Sequence, residues 1–151
     1  MRSADPIPII VDTREQQPYT FDPVRFAVQR CALPAGDYSL AGLELEVSIE
    51  RKSLNDFVGT VIGDWERFRA ELQKLQGFDF AAVAVEASPQ DVMDQRYTSR
   101  AAPASVLGRA ISIHADFGIP VVWLENRQIA KFWTEKTLER LWERMKGRAA
   151  R

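Results

Sequence analysis

Gly36-Asp37-Tyr38-Ser39-Leu40-Ala41-Gly42-Leu43-Glu44-Leu45-Glu46-Val47-Ser48-Ile49-Glu50-Arg51-Lys52 alternates apolar and polar residues on both sides of Ala41-Gly42. Period two around a glycine-containing turn predicts a β-hairpin, with strands over Tyr38 to Leu40 and Leu43 to Ile49 and the second running on into Glu50-Arg51-Lys52. Residues two apart on a strand project from one face about 7 Å apart, so Glu50 and Lys52 share a face and Arg51 takes the other. Pairing Asp37 opposite Glu50 puts the hairpin midpoint between Leu43 and Glu44, just past the glycine. Two carboxylates converging from neighbouring strands suit Mg²⁺ or Mn²⁺, hard ions that take oxygen ligands and keep waters. Glu50 and Lys52 also read as a solvent-facing pair of opposite charge, a common surface feature.

Outward from the hairpin, the apolar run Ile9-Ile10-Val11 fits a strand buried on both faces, with Asp12, Arg14 and Glu15 clustered at its end. Val24, Ala27, Val28 and Cys31 recur at helical spacing behind Asp22-Pro23 and predict a short helix over Pro23 to Cys31. Ser53, followed three residues on by Asp56, forms a capping signal for a helix starting directly after Lys52. A second helix follows Asp64, its apolar face Trp65, Phe68, Leu72 and Leu75 ending at Gly77. Phe80 to Val85 reads as a central strand, Ser88 to Pro103 mostly as loop, Ala104 to Phe117 as helix, Ile119 to Leu124 as strand and Arg127 to Met145 as a terminal helix. Strands separated by helices, with one early hairpin, imply an α/β fold: a three-layer α/β/α sandwich around a central mixed sheet.

The length of 151 residues suits one domain spanning the chain, and its 46% hydrophobic content can fill one core. The opening Met1-Arg2-Ser3-Ala4 precedes no long apolar stretch, so the expected location is cytoplasmic or nucleoid-associated, with no membrane partner. A single cysteine, Cys31, and a single histidine, His114, exclude a Cys/His zinc site. Cys31 is read as a small core residue, and His114 as a buried or edge histidine rather than a ligand. Net charge is −1, yet residues 126–151 hold eight Lys/Arg against three Glu. That basic end fits either a solvated helix laced with ion pairs or a phosphate-facing surface.

The ordered motifs Val11-Asp12-Thr13-Arg14-Glu15, Gly36-Asp37-Tyr38 and Glu50-Arg51-Lys52-Ser53-Leu54-Asn55-Asp56 resemble the nuclease domain of XPF-type structure-specific endonucleases, within the restriction-endonuclease-like superfamily. The resemblance extends to Arg67-Phe68, to the strand ending at Glu86 and to the closing strand and helix, covering nearly the whole chain. It implies Mg²⁺- or Mn²⁺-dependent hydrolysis of phosphodiester bonds in branched, flapped or junction DNA, in repair or recombination. Asp37 and Glu50 would be metal ligands with the Arg51 backbone carbonyl, and Lys52 would serve the attacking water or the phosphate. Asp12 and Glu15 would belong to the catalytic set, with Arg14, Asp56, Arg67 and Arg69 supporting it or contacting DNA.

Simpler readings stand beside these. Asp12, Arg14 and Glu15 fit a strand-end ion-pair cluster, Asp56 a helix cap, Arg67 and Arg69 a solvent-facing helix, and Arg51 a structural role first. Trp133 and Trp142 fit a core or the surface of a homodimer. Alternatives in function are a non-catalytic DNA-binding or dimerisation module of the same fold and a restriction-type nuclease with sequence preference.

Overall fold

The computed structural model describes residues 5–149, with side chains through Lys146. Met1 to Ala4 and the side chains of Arg148 and Arg151 lie outside the described residues. Six strands form one mixed sheet in the order β2-β1-β3-β4-β5-β6. β1 (Ile7–Asp12) buries Ile9, Ile10 and Val11, as a strand covered on both faces must. β3 (Tyr38–Leu40) and β4 (Val47–Lys52) are the expected antiparallel hairpin, and β5 (Phe80–Val85) and β6 (Val121–Trp123) continue the sheet in parallel. β4 starts four residues later than the alternation suggests. Leu43 to Glu46 instead form a tight turn, in which Glu46 N and Val47 N both donate to Leu43 O at 2.9 Å.

The predicted helix over Pro23 to Cys31 is a strand. Asp22 caps a single turn, its carbonyl accepting from Arg25 N and Phe26 N at 3.2 and 2.9 Å, and β2 (Phe26–Cys31) then pairs in parallel with β1. The positions that match a helical period are the wrong ones: Phe26 is buried, while Val24 is 79% and Val28 48% exposed. The open edge of β1 leaves backbone groups that only a strand satisfies, and that pairing outweighs local spacing. Cys31 is accordingly half-buried on an edge strand, not in the core.

Helices cover both faces. On one, α1 (Leu54–Val58), a π-helical turn (Gly59–Gly63), α2 (Trp65–Leu75), α3 (Pro89–Met93) and α4 (Pro103–Phe117) enclose a core including Phe57, Leu72, Val83, Val85 and Ile113. On the other, α5 (Arg127–Ala149) packs Leu138 and Leu141 over β1 and β3, against Ile9, Tyr38 and Leu40. This is the expected α/β sandwich. α3 is a departure from the predicted loop, made by a capping box in which Ser88 and Asp91 bond each other's backbone N–H groups. His114 is exposed on α4 rather than buried. Trp133 and Trp142 are half-buried against the core beneath α5, which turns Ile129 and Phe132 outward instead.

Candidate active site

Asp37 lies immediately before β3. Its N–H donates to Ile49 O at 2.9 Å while its carbonyl accepts from Asp12 N at 2.9 Å, so it extends the ladder on both sides. The pairing of Tyr38 with Ile49 sets Asp37 opposite Glu50, the register expected from the hairpin midpoint. The segment leading to Asp37 fits tightly over β4. Gly36 has φ +82°, and a Cβ there would lie 1.9 Å from Ser48 Oγ, so glycine is required on both counts.

The side chains meet as the alternation predicts. Asp37 Oδ2 accepts from Arg51 N–H at 2.7 Å, and Lys52 Nζ lies 3.4 Å from Glu50 Oε1 and 5.7 Å from the Phe68 ring centroid. Glu50 Oε2 is buried with no hydrogen-bond partner. Burial pushes the Asp37 carboxyl up to about 7, against the pull of the Arg51 N–H and Lys52. Glu50 is raised well above the usual carboxylate range by its own burial and by the charges of Asp37 and Glu71, again opposed by Lys52. One buried acid, Glu50, and one half-buried acid, Asp37, therefore lie together beside Lys52.

Asp37, Glu50 and Lys52 line a cavity of about 550 Å³, closed on its far side by Arg67, Glu71 and Lys74 of α2. A second cleft of about 500 Å³ shares Arg14, Asp37, Glu50 and Lys52 with it and is bounded by Gln16, Gln17, Asn55 and Asp56. Asp37, Glu50 and Lys52 thus line both clefts. The structure brings Arg67 to the first cleft. Arg69 lies outside both, 3.5 Å from Glu66. Asp56 is exposed in the second cleft, and its N–H donates to Ser53 Oγ at 3.2 Å as the cap predicts. Along α5 Lys131 pairs with Glu135 and Arg140 with Glu143, and Arg140, Arg144 and Lys146 line neither cleft.

Asp12 lines the same first cavity, its oxygens held by the backbone and by Arg14. One oxygen accepts from Leu33 N at 2.8 Å and from an Arg14 Nη at 3.1 Å, the other from Arg14 Nε and N at 2.9 and 3.1 Å. Burial would raise its carboxyl, but these bonds together hold it below the ordinary value. Glu15 is buried and turned toward Arg51, 3.5 Å away. Arg51 also donates to Glu86 through Nε and Nη2 at 3.1 and 2.8 Å, and Tyr19 O–H donates to Glu86 at 2.7 Å. Arg127 stacks 4.7 Å from the Tyr19 ring and completes this group behind β4.

Sequence reading misses Glu71, which lines the first cavity and accepts from Gly36 N at 3.2 Å. It marks Glu86 only as a strand end. Neither role has a local signal, because each depends on a partner 35 residues away. Among the described residues no group of three or more His, Cys, Asp or Glu is placed to ligate a metal by itself. Asp37 and Glu50 form a two-carboxylate donor set whose orphaned buried oxygen fits a hard divalent ion that keeps several waters.

Residues 11–136 match the ERCC4 domain. A Methanocaldococcus jannaschii protein named for ATP-dependent RNA helicase activity is 29% identical over 123 residues, which is 82% of this chain but 14% of that protein, so the chain spans about one seventh of this relative's length. XPF from Aeropyrum pernix has the same fold, with a TM-score of 0.66 at 23% identity over 91% of this chain and 65% of that one. A second structure of it, in complex with DNA, gives a TM-score of 0.69 at 22% identity over 91% of this chain and 66% of that one. With that fold around Asp37, Glu50 and Lys52, and a family match running from β1 into α5, the chain belongs to the ERCC4 domain family.

Proposed function

We propose that this chain is a Mg²⁺- or Mn²⁺-dependent endonuclease that hydrolyses phosphodiester bonds in branched, flapped or junction DNA of the kind arising in repair or recombination. The observation that carries the reading is the pairing of buried Glu50, which has an unpartnered oxygen, with half-buried Asp37 across the hairpin, beside the Lys52 ammonium. Such an arrangement costs stability unless a cation fills it. Family membership and the DNA held by the Aeropyrum pernix protein support the choice of substrate.

In this reading Asp37 and Glu50 hold the ion, with the Arg51 carbonyl available as a further oxygen. An ion held there would supply an acidified water and neutralise charge developing on the phosphate. Lys52, held by Glu50 and Phe68, orients that water or meets a phosphate oxygen with its Nζ. Arg67 and Lys74 offer cations to the flanking backbone in the first cleft. Arg51 stays behind the strand and positions Asp37 through its N–H.

The test is a panel of flap, splayed-arm, Holliday-junction and linear duplex DNA with Mg²⁺, Mn²⁺ or EDTA. The reading expects cleavage of branched substrates with either metal and none with EDTA. Cleavage in EDTA, or no cleavage of any substrate, overturns it; equal cleavage of the linear duplex overturns the shape preference.

A further inference from the structure

The segment that delivers Asp37 is pinned by side chains from three elements. Asp12 accepts from Leu33 N at 2.8 Å, Ser48 Oγ donates to Ala35 O at 3.1 Å, and Glu71 accepts from Gly36 N at 3.2 Å. Asp12 is neutralised by Arg14 and Ser48 is uncharged. Glu71 differs from both, because it brings a charge that the tether does not need. A glutamine oxygen would accept from Gly36 N equally well, and no salt bridge to Glu71 forms among the described residues. Glu71 lines the same cavity as Asp37 and Glu50. Three acids on one cavity, one of them also holding the segment that carries another, point to a ligand that they share. The buried, unpartnered Glu50 Oε2 in the same cavity independently points to a missing cation.

We propose that Glu71 is the third carboxylate of the divalent-cation site, bonding the ion's water shell rather than the ion while it holds Gly36, and with it Asp37, in place. The inference rests on the metal-dependent reading above and adds a residue to it. Hard ions bound by only one or two carboxylates keep several waters, which need acceptors. A half-buried carboxylate lining the same cavity can supply one. Outer-shell acceptors of this kind are worth roughly 10- to 100-fold in metal affinity.

Calorimetric titration of the whole chain with Mn²⁺, without DNA, tests this. Glu71→Gln keeps an acceptor for Gly36 and loses the charge; it should bind Mn²⁺ about 10-fold or more weakly, with the metal-free thermal midpoint not lowered. Glu71→Asp keeps the charge at shorter reach and should bind more tightly than Glu71→Gln. Wild-type affinity in Glu71→Gln, or Glu71→Asp binding no better than Glu71→Gln, makes Glu71 a tether alone and overturns the proposal. If Glu71→Gln does not fold, Glu71→Asp binding more tightly than Glu71→Ala supports it and equal binding overturns it. No Mn²⁺ binding by the wild type sinks the metal-dependent reading itself, an outcome distinct from these.

Discussion

The two faces of β4 carry similar charges to opposite ends. Behind the strand, Arg51 meets Glu86 and Glu15, Tyr19 donates to Glu86 and Arg127 closes the group. Burial would lower the Arg51 guanidinium, yet these partners raise it, the mark of a charge fully matched by its surroundings. In front, Glu50, one residue along the strand, and Asp37, across the hairpin from it, are raised by burial, which Lys52 and, for Asp37, the Arg51 N–H only partly offset. Polar groups that answer one another hold a structure together; polar groups left unanswered mark where something else is to bind.

The sharpest way to break this contrast is at the front. Asp37→Asn and Glu50→Gln should each abolish cleavage while leaving the far-ultraviolet spectrum and cooperative unfolding intact, since each removes charge from an unsatisfied site rather than core packing. Undiminished single-turnover cleavage by either variant would return that carboxylate to a passive role. Lys52→Ala should slow single-turnover cleavage by roughly 10²- to 10⁴-fold with DNA binding nearly unchanged, the span of a lost acid-base or charge-stabilising group. Lys52→Arg should rescue it poorly, because a guanidinium is larger, planar and effectively never deprotonated.

Behind the strand the expected loss is of stability. Arg51→Met leaves Glu15, 7% exposed at the side chain, without its cation and Glu86, 6% exposed, with only Arg127 at 3.7 Å, and should cost about 3–5 kcal/mol in urea unfolding. A loss below about 1 kcal/mol would mean that the network is no better matched than a surface pair. The smallest effect concerns pH. Burial raises Asp37 from 3.8 to about 7, so its stabilising contribution is present below the unfolded value and lost as pH rises through about 7. Differential scanning calorimetry of the metal-free protein should show its thermal midpoint falling from about pH 5 to about pH 8, and Asp37→Asn should flatten that fall. Asp12 and Asp91, both lowered, act with the opposite sign and lose their contribution only in the acid range, outside this window. A midpoint that rises over the interval would contradict the burial of Asp37.

What was legible in the sequence follows from how far each signal reaches. Glu50, Arg51 and Lys52 could be sorted to two faces because strand period is a local property, and the register with Asp37 followed from one short turn. β2 was misread because its residues carry a helical spacing while its fate depends on the open edge of β1. Glu71 was invisible for the same reason: an acid on a solvated helix face carries no mark of the loop that α2 will meet. Arg51 was assigned to structure from its face alone, yet which acids it would join depended on where Glu15 and Glu86 came to rest.

Gly36 bears on the fidelity of folding as well as on the geometry of the site. β3 has three residues, too short a ladder to select its pairing firmly, and a slip of one residue against β4 would exchange that strand's two faces. Such a chain would still bury a sheet, but Arg51 would enter the cavity and Glu50 and Lys52 would turn into the salt-bridge network: a folded and inert protein. Ser48 Oγ bonds Ala35 O and fills the space a Cβ at residue 36 would occupy, a fit that one register provides. The crowding over Gly36 thus checks the pairing of the hairpin before any ion or nucleic acid arrives.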